Sequence, residues 1–177
     1  PGEILGFLGP NGAGKTTTLR AAAGLLRPTS GEVTVAGASL TREPLLARAN
    51  LGFVPDRPAL YERLTAFEFL EFVAALYRTG AGAAEARARA LVERLDLDAV
   101  AGRPIESYSL GMRQKLSIAA ALIHDPPLVM LDEPLVGLDP RGARALKDLL
   151  RDRAARGGGV LVSTTCSTWP NTCATAC

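Results

Sequence analysis

The sequence predicts an α/β fold with a mostly parallel sheet and a helical insert. Short apolar runs typical of buried strands alternate with segments of helical periodicity, and a glycine-rich turn joins the first strand to the first helix. A longer helical stretch interrupts this alternation in the middle of the chain. The 177 residues, 47% of them hydrophobic, are enough for one such domain with its own core.

The elements follow in order from local patterns. An alternating segment between glycines predicts a half-exposed strand at 31–37, and Thr65 with Glu68 forms a capping box before the first helix of the insert. Gly80 and Gly82 are expected to break that helix. An uninterrupted apolar run at 128–131 predicts a strand buried on both faces, and Asp139-Pro140 predicts a helix start. Further strands are predicted at 3–8, 51–54 and 160–163, and further helices near 17–25, 84–95 and 109–123.

Charge and hydropathy exclude several function classes. The formal net charge of +2 offers no basic stripe, so we expect no nucleic-acid partner. No apolar run is long enough to cross a bilayer and no signal peptide is visible, so we expect any membrane role to depend on a partner protein. The three cysteines, Cys166, Cys173 and Cys177, lack the spacing of a zinc site, and their absence elsewhere suits the cytosol.

The first chemical motif is a phosphate loop. Residues 9–16 fit the pattern G-x-x-x-x-G-K-[ST] between a predicted strand and helix. The glycines let backbone N–H groups approach phosphates, Lys15 is expected to reach the β- and γ-phosphates, and Thr16 is expected to ligate Mg²⁺. The alternative is an ordinary glycine-rich strand–helix turn. The predicted phosphate-binding residues are Gly9, Asn11, Gly12, Ala13, Gly14, Lys15, Thr16 and Thr17.

The second motif is an acidic pair that follows the buried run at 128–131. Beside a phosphate loop, an acid at this place holds Mg²⁺, so we assign Asp132 as a metal ligand together with Thr16. Glu133 is then the candidate general base for an attacking water. The alternative is two acids that merely cap a strand end. Glu133 and Lys15 are the predicted catalytic residues, and Mg²⁺ with ATP is the predicted cofactor.

Two further motifs narrow the class of phosphate-loop protein. The segment from Tyr108 to Leu116 resembles the signature motif of ABC ATPases, and residues 135–140 resemble their D-loop. The motif order covers residues 2–164. The resemblance implies a P-loop NTPase core with a mostly parallel sheet, a small antiparallel β part and a helical subdomain insert. It implies that residues 1–59 and 126–164 form the nucleotide-binding core, and residues 60–125 the helical subdomain.

The resemblance also implies partners. ABC domains dimerise head to tail, so the signature of one subunit faces ATP on the other, and Asp139 would communicate between the two sites. The second subunit is the same or a different ABC ATPase, and a transmembrane permease completes the transporter. The implied location is cytoplasmic, on the inner face of the membrane. The implied signature contacts are Ser109, Leu110, Gly111 and Met112.

Several positions depart from the commonest family pattern. Tyr108 stands for leucine, Leu110 for glycine and Met112 for glutamine, and the resulting serine–any–glycine–methionine form resembles ATPases of ABC-2-type exporters. Asp56 stands at the place of the Q-loop glutamine, where its shorter carboxylate is expected to approach Mg²⁺ through water. Ser109 is also expected to cap its helix, since a cap and a phosphate site share one geometry.

The two ends depart further. Family members begin earlier, with an aromatic residue that stacks on adenine, so we expect the chain to be truncated at its N-terminus. Thr165 stands at the place of the switch histidine, and residues 165–177 have no helical or strand periodicity. Restoring one base before the codon of Thr165 permits histidine followed by an amphipathic helix. We therefore interpret residues 165–177 as a frameshifted, unstructured tail, with a genuine divergent tail as the alternative.

The leading functional prediction is an ABC-type ATPase that powers export through a membrane partner. One alternative is a nucleotide-binding fragment with impaired hydrolysis, since the histidine contact to the γ-phosphate is missing. Another is a soluble ABC ATPase without a transport role, although the paired domains, coiled coils or basic extensions usual in that class are not seen.

Overall fold

The computed structural model describes residues 2–165 and the backbone of residues 173–175. Strands and helices alternate as expected for an α/β fold. The strands are β1 (Ile4–Leu8), β2 (Thr34–Val35), β3 (Ala38–Ser39), β4 (Leu51–Val54), β5 (Leu128–Asp132), β6 (Gly159–Thr164) and β7 (Cys173–Thr175). The helices are α1 (Lys15–Ala22), α2 (Pro44–Ala49), α3 (Ala66–Leu76), α4 (Ala81–Arg94), α5 (Leu110–Leu122) and α6 (Pro140–Ala155), with 3₁₀ turns at Asp98–Val100 and Ile105–Ser107.

Five parallel strands form the main sheet in the order β4-β5-β6-β1-β7. Asp132 at the end of β5 pairs with Ser163 of β6, and Leu8 at the end of β1 pairs with Thr164. The carboxyl ends of these neighbouring strands therefore meet at one edge, the usual place for a ligand in an open α/β sheet. The predicted fold class is confirmed.

Between β1 and β4 in the chain, a separate two-stranded antiparallel sheet forms, which does not pair with the parallel sheet. Strands β2 and β3 form a hairpin whose turn residues, Ala36 and Gly37, have φ angles of 48° and 86°. Such turns need positive φ at both central residues. The predicted strand at 31–37 is wrong in its length, because this turn ends β2 at Val35.

The chain divides into two compact units. One comprises Pro1–Asp56, Pro126–Pro134 and Leu150–Cys177. Its core includes seven buried apolar side chains from α1, α2, the hairpin and the parallel sheet or their immediate flanks: Leu19, Ala23, Val35, Ala38, Ala47, Leu51 and Met130. This unit holds the parallel sheet, and with it the phosphate loop and the acidic pair.

The other unit comprises Arg57–Asp125 and Leu135–Leu149. Helices α3, α4 and α5 pack on one another around fully buried residues such as Leu70, Val92 and Leu116. Its first part overlaps residues 60–125, for which the family resemblance implies a helical subdomain. The second part was expected in the core, but residues 135–149 cluster with the helices, where Gly137 packs closely against Gly111.

The capping box before α3 is confirmed. The Thr65 N–H donates to Glu68 Oε2 over 2.8 Å, and the Glu68 N–H donates to Thr65 Oγ1 over 3.3 Å. Hydrogen bonds from the Thr65 backbone and hydroxyl hold the pKa of the Glu68 carboxyl below its ordinary value. Gly82, expected to break the helix, instead lies in the first turn of α4, where a glycine is tolerated.

Two further differences concern short elements. Helix α2 was not predicted, because six residues are too few for a visible helical period. The expectation of an unstructured tail fails for Cys173–Thr175, which pair as β7 with Gly6–Leu8 of β1. The free edge of β1 offers unpaired backbone groups to any extended segment. Residues 166–172 and 176–177, and the three cysteine side chains, lie outside the description.

None of the helices in the described part of the chain combines the length and the apolar character that crossing a bilayer requires.

Candidate nucleotide-binding site

The phosphate loop joins β1 to α1 through two glycines in left-handed backbone. Gly12 and Gly14 have φ angles of 81° and 85°, so any side chain at either position would strain the turn. Gly14 is also the N-cap of α1 and supplies no side-chain cap. The first amides of the helix therefore keep their hydrogen-bonding capacity for an anion, as the motif predicts. Residues 11–14 are exposed.

Lys15 is buried, with 6% of its surface exposed, and its ammonium folds back over the loop. Its Nζ donates to the carbonyl oxygens of Gly9 and Pro10 over 2.8 and 3.1 Å. The same atom lies 3.8 Å from Glu133 Oε1. The two predicted catalytic residues thus meet at the loop, with the positive charge held where phosphates would arrive.

The acidic pair follows β5 and is held by β6. Asp132 is fully buried, and its Oδ1 accepts a hydrogen bond from the Ser163 hydroxyl over 2.5 Å. Glu133 has a φ of 46°, a left-handed conformation that costs energy in a residue other than glycine. Its N–H donates to the Ser163 carbonyl over 3.1 Å. Ser163 of the neighbouring strand therefore holds the Asp132 side chain and the Glu133 backbone in position.

The oxygen set fits a magnesium ion bound with nucleotide. Asp132 Oδ2 is buried and has no hydrogen-bond partner among the described residues, so one carboxylate oxygen remains for a cation or its water. Mg²⁺ takes one or two carboxylates or hydroxyls plus phosphate oxygens. Thr16, half-buried at the start of α1, is the predicted hydroxyl ligand and belongs to the same unit.

Asp56 follows β4 at the same edge of the sheet, since β4 pairs with β5. It is not free: Arg20 Nη2 of α1 donates to Asp56 Oδ1 over 3.0 Å. Both side chains are partly exposed, and a pair of this kind contributes roughly 0–1 kcal/mol to stability. The ion pair fixes the direction of the carboxylate at the Q-loop position.

The signature segment lies in the helical unit. Ser109 caps α5, because its Oγ accepts from the Met112 N–H over 3.3 Å, which confirms the predicted cap. Leu110 is exposed at the first helical position, whereas Gly111 and Met112 are half-buried. Asp139 likewise caps α6, accepting from the Gly142 N–H over 2.9 Å.

Tyr108, which departs from the family pattern, has a packing explanation. Its ring is buried and its hydroxyl donates to the Val100 carbonyl over 2.9 Å. Burial raises the pKa of the Tyr108 hydroxyl above its ordinary value. A leucine is smaller than tyrosine and would leave that carbonyl without this partner.

Thr165 follows β6 and is exposed. Because β6 lies between β5 and β1, the residue after it belongs to the edge where the phosphate loop and the acidic pair begin. Thr165 therefore occupies the place at which the resemblance expects a histidine. The rest of the interpreted frameshift falls outside the described residues, except the backbone of β7.

Sequence reasoning missed three residues that organise these segments. Ser163 holds the acidic pair, and Arg20 holds Asp56. Arg113 donates to the backbone of Tyr108 and Glu106 and pairs with Glu62. The only one of these residues that the sequence could have indicated is Ser163, because a serine within a buried apolar strand needs a hydrogen-bond partner. Neither arginine differs in pattern from a solvated charge.

The comparisons with known proteins agree with this geometry. The ABC transporter family model matches residues 1–136. The daunorubicin resistance ATP-binding protein DrrA3 of Streptomyces coeruleorubidus is 42% identical over 92% of this chain and 52% of its own length. The chain thus spans about half the length of the curated relatives it matches.

Two solved structures match over 93% of the chain. A structure described as the ATP-binding subunit of an ABC transporter superposes with a TM-score of 0.87 at 35% identity, over 68% of that chain. A dimeric ATP-binding cassette, solved in a post-hydrolysis state with ADP and Pi, superposes with a TM-score of 0.82 at 28% identity, over 75% of its chain. With the phosphate loop and acidic pair in place, this chain belongs to the ABC transporter family, as an ATP-binding domain of the ABC ATPase type.

Proposed function

We propose that this chain is the nucleotide-binding core of an ABC exporter's motor subunit, which hydrolyses Mg-ATP to power transport through a membrane partner. The observation that carries the proposal is the cluster of buried Lys15 and Asp132 with half-buried Glu133 at the carboxyl edge of the sheet. A cation, a metal-binding acid and a second acid at one phosphate loop are the parts that phosphoryl transfer to water requires.

Binding depends on the loop and Lys15. The ammonium has three donors, of which two are directed at the Gly9 and Pro10 carbonyls. Its buried position strengthens its attraction for phosphate oxygens, because little water screens the charge. The open amides of α1 supply further donors. These groups bind and orient the phosphate chain before any chemistry occurs.

Hydrolysis depends on the acidic pair. Asp132 Oδ2 would hold the cation, and a Mg²⁺ ion bound with ATP would supply positive charge to the phosphates. Glu133 Oε1 accepts no hydrogen bond from the described residues, and Glu133 is therefore the candidate to accept a proton from water. Its 3.8 Å separation from Lys15 keeps this acid beside the phosphate site.

The partners are inferred from the start of α5 and from the relatives. The N-terminus of α5, with Ser109 as its cap and Leu110 exposed, suits a γ-phosphate presented by a second ATPase subunit. One structural neighbour is a dimer, and one relative is named for daunorubicin resistance. Both support a dimeric exporter, with a permease as the membrane partner. Co-purification of the whole natural protein with a membrane subunit tests this part.

The hydrolysis step is tested by Glu133→Gln, which keeps the side-chain shape but removes the base. We expect phosphate release from ATP to fall about 100-fold or more, while fluorescent ATP binding is retained. Glu93→Gln on the exposed surface of α4 is the matched control and should release phosphate at the unaltered rate. If the unaltered chain releases phosphate above background and Glu133→Gln does so at the same rate, Glu133 is not the base.

A second candidate function is nucleotide binding without hydrolysis. It is favoured by Thr165, whose side chain cannot act as the imidazole expected at that place. In that case the unaltered chain binds Mg-ATP, its phosphate release does not exceed background, and Glu133→Gln changes nothing. The same assay therefore separates the two functions.

A further inference from the structure

Ser163 lies in the middle strand of the sheet, in register with Asp132 of the adjacent strand. It is fully buried, between Val162 and Thr164, which are also buried. A hydroxyl in such a place must have hydrogen-bond partners, since burying it alone is unfavourable. What it bonds to is therefore informative about why a serine stands here.

Its partners are the two acids at the end of β5. The Ser163 hydroxyl donates its single hydrogen to Asp132 Oδ1 over 2.5 Å. The same oxygen lies 3.3 Å from the Glu133 N–H as an acceptor, and the Ser163 carbonyl accepts from that N–H over 3.1 Å. One residue thus binds the side chain of the first acid and the peptide of the second.

The bond to Asp132 selects which oxygen is presented. The terminal torsion of an aspartate is broad, so the carboxylate rotates readily when nothing holds it. With Oδ1 held by Ser163, Oδ2 remains buried and without a hydrogen-bond partner among the described residues. An oriented, already desolvated oxygen is what a metal ligand needs, and outer hydrogen bonds provide that orientation in metal sites.

The bonds to the Glu133 peptide hold a backbone that would otherwise relax. Its φ of 46° is sparsely populated for a residue with a side chain and persists only when surrounding contacts determine it. That conformation directs the side chain to within 3.8 Å of the Lys15 ammonium. The shared N–H bonds to Ser163 are the contacts that determine it from β6.

We infer that Ser163 is a positioning residue that orients both acids for Mg-ATP, by presenting Asp132 Oδ2 and by holding the Glu133 peptide. The inference rests on the proposed function, since it deepens the site at which Mg-ATP would act. Ser163 is not proposed to touch nucleotide or metal. It acts through the two acids.

The test measures metal dependence separately from nucleotide binding. The affinity for a fluorescent ATP analogue is first measured in EDTA. In a separate sample without EDTA, the chain saturated with the analogue is titrated with Mn²⁺, followed by electron paramagnetic resonance. Ser163→Ala should bind the analogue in EDTA as the unaltered chain does, because the phosphate loop is intact. Its Mn²⁺ midpoint should rise at least tenfold. Ser163→Thr, which keeps a hydroxyl, should return the midpoint to within about threefold.

Ser39→Ala is the matched control. Ser39 is also a buried strand serine, and its hydroxyl donates to Glu32 over 2.6 Å, away from the acids. It should leave the Mn²⁺ midpoint unchanged, which separates the orientation of the acids from the general loss of a buried hydroxyl. If Ser163→Ala does not fold, Ser163→Cys replaces it, because a thiol fits the space but donates weakly.

The outcomes distinguish two failures. If the unaltered chain binds the analogue with Mn²⁺ but Ser163→Ala or Ser163→Cys has the same midpoint, the positioning inference is overturned and the proposed function stands. If the unaltered chain binds neither analogue nor metal with it, the proposed function is overturned, and this inference with it. A raised midpoint that Ser163→Thr restores supports the inference.

Discussion

Lys15 carries the one positive charge that the phosphate loop buries. A buried ammonium is unfavourable unless it is paired, and here two loop carbonyls and the Glu133 carboxylate surround it. The Gly9 and Pro10 carbonyls come from the same loop, so the local sequence supplies most of the pairing. The charge is therefore in place before nucleotide arrives, which lowers the cost of ordering it on binding.

Lys15→Ala tests the binding contribution of this charge. Losing a hydrogen bond to a charged group costs about 1.5–3 kcal/mol, so we expect the dissociation constant of the ATP analogue in EDTA to rise roughly 10- to 100-fold. Arg27→Ala removes an exposed charge from the same unit and should bind as the unaltered chain does. A rise confined to metal-containing buffer would contradict a direct contact between Lys15 and phosphate.

At the scale of elements, the start of α5 packs closely against the loop that precedes α6. An added Cβ at Gly111 would lie 2.4 Å from the Gly137 carbonyl oxygen, which is backbone and cannot swing away. Gly137 itself has a φ of 79°. Gly111 is thus required by packing against the loop at Gly137, apart from any contact with nucleotide.

Two glycine substitutions separate this packing from helix propensity. Gly111→Ala should lower the free energy of unfolding by about 1–3 kcal/mol, since backbone must move to admit the methyl group. Gly82→Ala, in α4 with open space around its added Cβ, should raise it by about 0.5–1 kcal/mol. Urea denaturation without nucleotide measures both. If Gly111→Ala leaves the free energy of unfolding unchanged, the backbone at Gly137 moves easily enough to admit the methyl group.

For the whole molecule, the register of the parallel sheet decides where the chemistry collects. The strands β4, β5, β6 and β1 end at one edge of the sheet. Asp56 follows β4, the acidic pair lies at the end of β5, Thr165 follows β6, and the phosphate loop follows β1. Parallel strands must all point one way, so segments far apart in the chain meet there. The residue after β6 therefore lies at the same edge as the acidic pair and the phosphate loop, so we expect its identity to affect the whole site.

Replacing residues 165–177 with the restored reading tests that dependence. The reading is His-Leu-Leu-Asp-Val-Ala-Glu-His-Leu-Cys-Asp-Arg-Val, which places histidine at 165. We expect phosphate release to rise on the order of 100-fold, because positioning the γ-phosphate is most of the catalysis. The control has the same replaced tail from residue 166 onward but carries Thr165→Ala instead of histidine, and its phosphate release should remain slow. Equal phosphate release by these two proteins would show that the histidine is unimportant.

Local sequence was sufficient for the fold class, the phosphate loop, the capping residues and the order of motifs. Each of these depends on a few consecutive residues: the left-handed glycines at 12 and 14, the cap at Ser109 and the apolar run before Asp132. A phosphate loop is a backbone conformation followed by a lysine, so its pattern is contiguous and readable. Short elements such as α2 escaped because they have no full period.

The tertiary structure alone decided which side chains hold the site in place. Ser163 and Asp132 are 31 residues apart, Arg20 and Asp56 are 36 apart, and Arg113 and Glu62 are 51 apart. No local pattern marks such pairs, because strand register and helix packing bring them together. The sequence by itself determined what chemistry the chain carries. The packing determined how its acids are oriented, since orientation comes from neighbours that are distant in the chain.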